Sequence, residues 1–314
     1  MIPSSEVPLL KSSLAILTNG KGGGEYVIPL QSWDLKTETL KCLKNGVPGA
    51  KELMGSAKWS SAVNCYRSYV HGTPPPILAS RAYHKLREIL FVCAIPAPRR
   101  SAHLCEAPGG FVQATAEVVR EEGEEEWTWV AVSLPESSTA PKMGTALLPM
   151  KCGTCLESDV LREGAPEIPD ASCDLVTADG AGPMDHEDLE REHLPLLWSQ
   201  TETAVRILSP GGTLVIKFFE GSLPETRLWM AWVTLHFKRV SVIKPTSSRP
   251  TNSERYVVAR SFAPPSEPLP PYQECRTSAE WDLHARNQLS EFHDAQILAL
   301  KAIMHRRCDA KTSP

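Results

Sequence analysis

The sequence feature that most constrains the fold is a glycine turn between an apolar strand and an amphipathic helix. The stretch Ser101–Gly110 reads SAHLCEAPGG, and residues 102–106 have the composition of a short, fully buried strand. The apolar residues of the following helix recur on one face, at Phe111, Ala114, Val118 and Val119. Glycine lets the backbone approach a ligand, and free N–H groups at a helix start form a polar cradle. The stretch therefore predicts the nucleotide-binding corner of a doubly wound α/β fold.

Neither glycine-rich segment matches a standard phosphate-binding fingerprint. The dinucleotide pattern G-x-G-x-x-G would need its first glycine where Ala107 and Pro108 stand, which argues against NAD. Residues 20–24 (GKGGG) lack the Lys-Ser/Thr pair of a P-loop and indicate a plain flexible turn. The predicted ligand is thus neither NAD nor the phosphates of a P-loop nucleotide.

The length allows one large α/β domain with extensions or two small domains, and the composition favours a soluble, intracellular protein. The 314 residues are 42% hydrophobic and 22% charged, with a formal net charge of -4. Any RNA contact would therefore need a local basic patch. Nine cysteines without regular spacing favour reduced thiols. We expect no membrane span, because no apolar run approaches about 18–20 residues, and no signal peptide.

Strands and helices alternate through the middle of the chain, between two segments of different character. We predict an N-terminal extension over 1–76 that binds RNA or packs on the core, a catalytic domain over 77–262, and a proline-rich linker with C-terminal helices over 263–314. Predicted strands cover 102–106, 127–133, 147–152, 173–179, 213–219, 237–243 and 255–262. Predicted helices cover 35–43, 57–69, 77–95, 189–208 and 223–235, with one amphipathic helix or a helix pair after the linker.

Four charged residues are predicted near one rim of the sheet. Lys85 lies on the helix before the glycine turn, and Asp179 ends a buried strand. Ligands of open α/β sheets bind at the carboxyl ends of such strands. Lys217 interrupts an apolar strand, where a lysine is costly unless it is paired or functional. Glu254 precedes the last predicted strand. The position of Lys217 indicates a functional role, while Lys85 by itself reads as one surface charge among many.

Five motifs connect these residues to a known family. They are S-R-A-Y-x-K-L, E-A-P-G-G-F, A-D-G, V-I-K-F-F-E-G and K-P-x-S-S-R-x-x-x-S-E-x-Y-x-V, and the resemblance that they carry covers Ser80 to Phe262. In this order they resemble the FtsJ-like ribose 2′-O-methyltransferases. The resemblance implies a Rossmann-like fold with a seven-stranded sheet whose last strand is antiparallel. It also implies a catalytic tetrad at Lys85, Asp179, Lys217 and Glu254.

The resemblance further implies S-adenosylmethionine (SAM) as methyl donor, S-adenosylhomocysteine as product and no metal. The predicted cofactor-binding residues are Glu106, Ala107, Pro108, Gly109, Gly110, Phe111, Ser133, Asp159 and Asp179. Ser133 stands where many SAM enzymes have an acid for the ribose, and Asp159 could bind the adenine amino group or be a solvated surface residue. Cys152 and Cys155 form C-x-x-C without a second pair, which does not favour zinc. The predicted substrate-binding residues are Arg81, Lys244, Ser247, Arg249 and Ser253.

The implied substrate is the 2′-hydroxyl of RNA, which Lys217 would orient and deprotonate with help from Lys85. The Leu-Cys-Glu-Ala-Pro-Gly form of the turn resembles the eukaryotic and viral mRNA-cap enzymes. We therefore expect the substrate to be the capped 5′ end of mRNA. The expected location is nuclear or cytoplasmic, which is compatible with a viral source. The expected protein partner belongs to a capping or RNA-processing complex. A ribosomal- or transfer-RNA methyltransferase and an inactive RNA-binding scaffold remain as alternatives.

Overall fold

A single mixed sheet forms the centre of the structure, a computed structural model that describes residues 13–16, 30–64, 77–135, 143, 153–181, 188–265 and 275–309. The strands are β1 (Ser13–Ile16), β2 (Arg100–Leu104), β3 (Thr128–Ser133), β4 (Gly153–Glu157), β5 (Cys173–Ala178), β6 (Leu208–Phe219), β7 (Phe237–Lys244) and β8 (Glu254–Phe262). The helices are α1 (Leu30–Met54), α2 (Ser56–Asn64), α3 (Ala82–Val92), α4 (Gly110–Glu122), α5 (Val160–Glu163), α6 (Leu189–Ile207), α7 (Pro224–His236) and α8 (Ala279–Asp309).

The strand order confirms the predicted fold class. Across the described residues the order is β1-β7-β8-β6-β5-β2-β3-β4, and β2 to β6 pair in parallel. The last strand, β8, inserts antiparallel between β6 and β7. Strands β2 to β8 thus form the predicted seven-stranded sheet. The structure adds an eighth strand, because β1 from the N-terminal extension pairs antiparallel with β7.

Alternate residues of each central strand pack into different apolar layers. Val176 and Ile216 belong to a large cluster with residues of α6, α7 and α8. Leu175 and Val215, one position earlier on the same strands, belong to a second cluster with α3 and α4. Because side chains alternate along a strand, the sheet lies between two helical layers. Both layers bury the strands and leave their carboxyl ends for the site.

The two extensions pack together as a pair of parallel helices. Leu40 of α1 is fully buried against Ile297 and Leu300 of α8. Nearer the start of both helices, Lys36 Nζ lies 2.7 Å from Asp294 Oδ2. The C-terminal segment was predicted as a helix or helix pair, and its described part is the single helix α8. Helix α1 is longer than the predicted 35–43 segment.

Several predicted boundaries were wrong at turns. The helix predicted over 77–95 is shorter: α3 begins after Arg81, while the Ser80 hydroxyl accepts a hydrogen bond from Ala82 N–H at 3.2 Å. The strand predicted over 213–219 begins earlier, because β6 starts at Leu208 and includes residues 210–212, where the β5–β6 register shifts. The strand predicted over 147–152 and the turns at 20–24 and 72–76 fall outside the described residues.

Candidate active site

The four predicted catalytic residues meet at one edge of the sheet. Asp179 follows β5 directly, and Lys217 lies two residues before the end of the parallel neighbour β6. Glu254 is the first residue of β8, whose antiparallel direction brings its start to the edge where β6 ends. Lys85 reaches the same edge from α3. The fold therefore brings together residues that are up to 169 positions apart.

The tetrad is organised as two lysine–carboxylate pairs. Lys85 Nζ donates to Glu254 Oε2 at 2.8 Å. Lys217 Nζ lies 3.1 Å from Asp179 Oδ1 and donates to the Asp179 carbonyl oxygen at 2.6 Å. The Lys217 side chain is 7% exposed. A buried ammonium needs such partners, because an isolated charge in an apolar interior is costly.

Glu254 is held as a carboxylate by the cations around it. Burial raises the pKa of Glu254, but the positive charges of Lys85, Lys217 and Lys244 outweigh that effect and lower the pKa to about 2. The Ser248 hydroxyl donates to Glu254 Oε1 at 2.8 Å, so both carboxylate oxygens have partners. At neutral pH this residue accepts hydrogen bonds and carries a negative charge.

A cavity of about 420 Å³ adjoins the tetrad at the carboxyl ends of the strands. Its lining includes four of the predicted cofactor-binding residues, namely Ala107, Ser133, Asp159 and Asp179. Leu134 and Leu161 also line it and are 42% and 49% exposed, which is unusual for large apolar side chains. A volume within about 300–1,000 Å³ and a mixed polar and apolar lining are typical of small-molecule sites. The residues present fit a nucleoside with an apolar ring face.

A model of FtsJ-like methyltransferases matches residues 78–262, which is more than half of the chain. The chain belongs to this family. The matched range includes the whole tetrad and every residue that lines the cavity. Helices α1 and α8 and strand β1 lie outside it.

Three curated relatives show the range of proteins that the chain is similar to. The cap-specific mRNA (nucleoside-2′-O-)-methyltransferase of Autographa californica nuclear polyhedrosis virus is 34% identical over 131 residues, or 41% of this chain and 50% of the relative. Cap-specific mRNA (nucleoside-2′-O-)-methyltransferase 2 of Danio rerio is 27% identical over 221 residues, which are 62% of this chain and 30% of the relative. Ribosomal RNA large subunit methyltransferase E of Parvibaculum lavamentivorans is 31% identical over 209 residues, which are 63% of this chain and 79% of the relative. The chain thus spans half or less of the two cap-specific relatives.

The family's glycine turn holds the start of α4 through its buried acid. Glu106 Oε1 accepts from the backbone N–H groups of Phe111 at 2.7 Å and Val112 at 3.0 Å. Gly109 has φ of 108°, a left-handed conformation that favours glycine. A Cβ on Gly110 would meet Ser80 Oγ at 2.2 Å, so this glycine permits close packing of α4 against the start of α3. Of the six predicted loop residues, Ala107 lines the cavity, while Glu106 supports the helix.

Two predicted cofactor residues outside the turn also have structural partners. Ser133 takes the place of the expected acid, and its hydroxyl accepts from Ala107 N–H at 2.9 Å. Asp159 caps α5, since its carboxylate accepts from Leu161 N–H at 3.1 Å. Both residues remain in the cavity wall. Their predicted contacts with a ribose and an adenine stay predictions.

The predicted substrate-binding residues divide into exposed and buried groups. Arg81 and Arg249 are exposed. The Ser247 hydroxyl is buried and donates to Glu88 Oε2 at 2.9 Å, and Ser253 donates to Glu220 Oε2 at 2.9 Å. Lys244 Nζ donates to the Glu254 carbonyl oxygen at 2.6 Å. The structure therefore gives the last three residues a role in holding the loop between β7 and β8, and their contacts with substrate remain predictions.

Sequence reasoning assigned no role to Tyr256, although the residue lies in the last family motif. Tyr256 is fully buried and pairs across the strands with Lys217. Its hydroxyl donates to Asp179 Oδ1 at 2.8 Å, so this oxygen lies between an ammonium and a phenol. Burial, together with the negative charges of Asp179 and Glu254, raises the pKa of Tyr256 well above its ordinary value. The signal in the sequence was a tyrosine two positions after Glu254, on the same face of β8.

The described part of the chain holds neither a metal-binding cluster nor a membrane-spanning helix. No group of three or more His, Cys, Asp and Glu side chains there is arranged to hold a metal ion. Of the C-x-x-C pair, Cys155 is an exposed free thiol on β4, and Cys152 lies outside the described residues. None of the helices within the described ranges is long and apolar enough to cross a membrane.

Proposed function

We propose that this protein transfers a methyl group from SAM to a ribose 2′-hydroxyl of RNA. The observation that carries the proposal is that Asp179 belongs to both parts of the site. Its carboxylate pairs with Lys217, and the residue also lines the cavity of nucleoside size. A methyl donor in that cavity would lie beside the lysine side chains, which can form hydrogen bonds with a substrate hydroxyl.

The cofactor supplies an electrophilic methyl group on a sulfonium, and the chain's residues supply its binding and the handling of the hydroxyl. Ala107, Ser133, Asp159 and Asp179 would hold the cofactor in the cavity, with Leu134 and Leu161 against its apolar ring. Alignment of two reactants can contribute several kcal/mol, with about 7–11 kcal/mol as the ceiling. Positioning is therefore the main task of this half of the site.

Lys217 orients the 2′-hydroxyl and, in its neutral amine form, accepts the hydroxyl proton as the oxygen bonds to the methyl carbon and the carbon–sulfur bond breaks; Lys85 assists from α3. Asp179 and Glu254 fix the two ammonium groups and balance their charge, which the two ion pairs of 3.1 Å and 2.8 Å support. Because Glu254 has a pKa near 2, it stays ionised and holds Lys85 at neutral pH. General acid–base assistance of this kind contributes typically about 10²–10⁴-fold in rate.

The decisive experiment is methyl transfer from labelled SAM to short RNAs by wild type and Lys217→Met. Methionine keeps the length and apolar contacts of the side chain but removes the ammonium. We expect turnover to fall by about 10²–10⁴-fold, while SAM affinity measured by calorimetry stays within about threefold because Lys217 does not line the cavity. Lys238→Met is the matched control, since Lys238 is an exposed lysine on β7. Full activity of Lys217→Met would refute the catalytic assignment.

Within this activity we propose the cap-proximal nucleotide of mRNA as substrate. The support is the cap-specific names of the viral and Danio rerio relatives and the form of the glycine turn. Ribosomal RNA is the second candidate, because the Parvibaculum lavamentivorans relative is matched over 79% of its length. Transfer to capped but not to uncapped RNA of the same sequence would support the first. Transfer to ribosomal or transfer RNA fragments alone would support the second, and SAM binding without transfer to any RNA would favour a scaffold or a missing protein partner.

A further inference from the structure

The loop between β7 and β8, residues 245–253, connects two strands at the tetrad and ends directly before Glu254. Hydrogen bonds from a loop residue and from Lys244, the last residue of β7, surround Glu254. Ser248 donates to Glu254 Oε1, and Lys244 donates to the carbonyl oxygens of Asn252 at 3.0 Å and Glu254 at 2.6 Å. The position of Glu254 therefore depends on how firmly this loop is held.

The first half of the loop is fixed from within the family-matched region. Glu88 of α3 accepts from the backbone N–H and hydroxyl groups of Thr246 at 2.6 and 3.0 Å. It also accepts from the same two groups of Ser247 at 3.0 and 2.9 Å. One buried carboxylate thus attaches two consecutive loop residues to the helix that carries Lys85.

The second half of the loop is fixed by a helix outside the matched region. Gln296 of α8 is 3% exposed, and its Nε2 donates to the Thr251 carbonyl oxygen at 3.1 Å and to Ser253 Oγ at 3.4 Å. Ser253 donates onward to Glu220 Oε2, and Glu220 forms an ion pair with Lys44 of α1. The residue directly before Glu254 is therefore bound to both terminal helices through a chain of polar contacts.

A small cavity of about 30 Å³ lies where α8 faces this loop. Its lining includes Gln296, Arg255 and Lys244. Gln296 Oε1 and Arg255 Nη2 are buried and have no hydrogen-bond partner within the described part of the chain. The cavity is larger than the roughly 10–15 Å³ that a single water needs. With one acceptor and one donor beside it, it meets the usual conditions for a buried water.

We propose that Gln296 is a positioning residue for the reaction at the tetrad. Its amide N–H group holds the Thr251–Ser253 end of the loop, and a buried water connects its carbonyl oxygen to Arg255. Helix α8 thereby keeps Glu254 in place against Lys85 when RNA binds. This inference rests on the proposed function. Helix α8 would take part in catalysis without contacting substrate or cofactor.

The test compares wild type with Gln296→Leu, which keeps the approximate volume of the side chain but removes both polar groups. We expect amide hydrogen exchange in residues 246–253 to become faster and kcat to fall by about tenfold, since small misplacements of reacting groups are costly. SAM affinity and stoichiometry should stay unchanged, and the stoichiometry counts the folded sites. Leu298→Ala is the control on the same helix, because Leu298 is 61% exposed.

Gln296→Asn serves if Gln296→Leu does not fold, since the amide is retained but lies one methylene too far from Thr251. Unchanged exchange and unchanged kcat in a folded variant would overturn the proposal. Reduced SAM stoichiometry that accounts for the whole loss of kcat would also overturn it, by showing a purely structural role. Absence of methyl transfer by wild type would refute the proposed function alone, and the exchange comparison would still decide whether Gln296 holds the loop.

Discussion

Two buried glutamates in the family motifs, Glu106 in the glycine turn and Glu254 at the tetrad, have opposite protonation behaviour. Glu106 is 4% exposed and Glu254 is 5% exposed. Burial raises the pKa of Glu106 to about 8, because two backbone N–H bonds only partly compensate and Asp179 adds a negative charge. At Glu254 three lysines overcome the same burial and lower the pKa to about 2.

The difference teaches that neighbouring cations, rather than burial, decide the charge of an acid in this protein. Backbone N–H groups at a helix start favour a carboxylate, but they carry only partial charges. Glu106 is therefore largely a neutral acid at pH 7 that supports the helix beside the cavity. Glu254 is an anion that fixes the Lys85 ammonium. The turn stabilises the start of α4, and the tetrad carries the charges that the proposed reaction would use.

Among the buried acids, the largest expected effect on turnover comes from removing the charge of Glu254. Glu254→Gln leaves Lys85 without its carboxylate, and we expect methyl transfer to fall by about 10²-fold and the free energy of unfolding to fall by about 1–3 kcal/mol. Turnover on RNA and urea unfolding measure the two effects. The control is Glu291→Gln at an exposed position of α8. Equal turnover in wild type and Glu254→Gln would remove the contrast between the two glutamates.

The next effect concerns the pH dependence that Glu106 imposes. In the unfolded chain this acid ionises near its ordinary pKa of 4.5, whereas the folded protein keeps the proton up to about pH 8. Between these values the unfolded state binds fewer protons, so stability falls as pH rises. Relative to Glu106→Gln, wild type should lose up to about 1.4 kcal/mol per pH unit between pH 5 and 8. Urea unfolding at several pH values measures the slope, and parallel curves for the two proteins would contradict the assigned pKa.

A smaller effect should follow at Glu220, another buried glutamate, whose charge depends mainly on one lysine. Burial raises the pKa of Glu220, but Lys44, with His293 and Arg255, outweighs this and lowers it to about 2. Its contribution to stability is present above the ordinary pKa and is lost as pH falls from about 4.5 toward 2. Lys44→Met should cost about 1–2 kcal/mol at pH 7, less than a fully buried pair, because the Lys44 side chain is 34% exposed.

The Lys44 comparison also needs a control on the same helix. Lys51→Met removes an exposed ammonium from the last turn of α1. Thermal unfolding at pH 7 and pH 3 should separate the two variants at the higher pH and bring them closer at the lower one. A constant difference across this range would show that Lys44 acts through packing rather than through the charge of Glu220.

Much of the fold and the tetrad was predictable because local patterns carried the information. Lys217 interrupts an apolar strand, and Asp179 ends one. A charged side chain in an apolar strand is unfavourable unless it has a function, so both positions indicate a functional site. The antiparallel last strand came from the family resemblance. The antiparallel direction of β8 places Glu254 at this edge, and Lys85 reaches it from α3.

Other parts of the site could not be predicted because their contacts depend on distant packing. Tyr256 reads as an ordinary core residue until its hydroxyl is found 2.8 Å from Asp179. Gln296 is a common helix-forming residue whose partners lie 43 and 45 positions away. Glu106 is predicted to bind the cofactor, which stays a prediction, and its carboxyl oxygen accepts from two backbone N–H groups of α4, contacts that the sequence of the turn does not reveal.

The pairing of β1 with β7 has a consequence for how the sheet ends. Without β1, the backbone groups of Ser241 to Lys244 would form an open strand edge, and such edges readily pair with another chain. A fragment limited to residues 78–262 would have that edge and would also lose Trp33 and Phe292 from its apolar core. We therefore expect the isolated fragment to self-associate. The residues beyond the family match protect the sheet from aggregation.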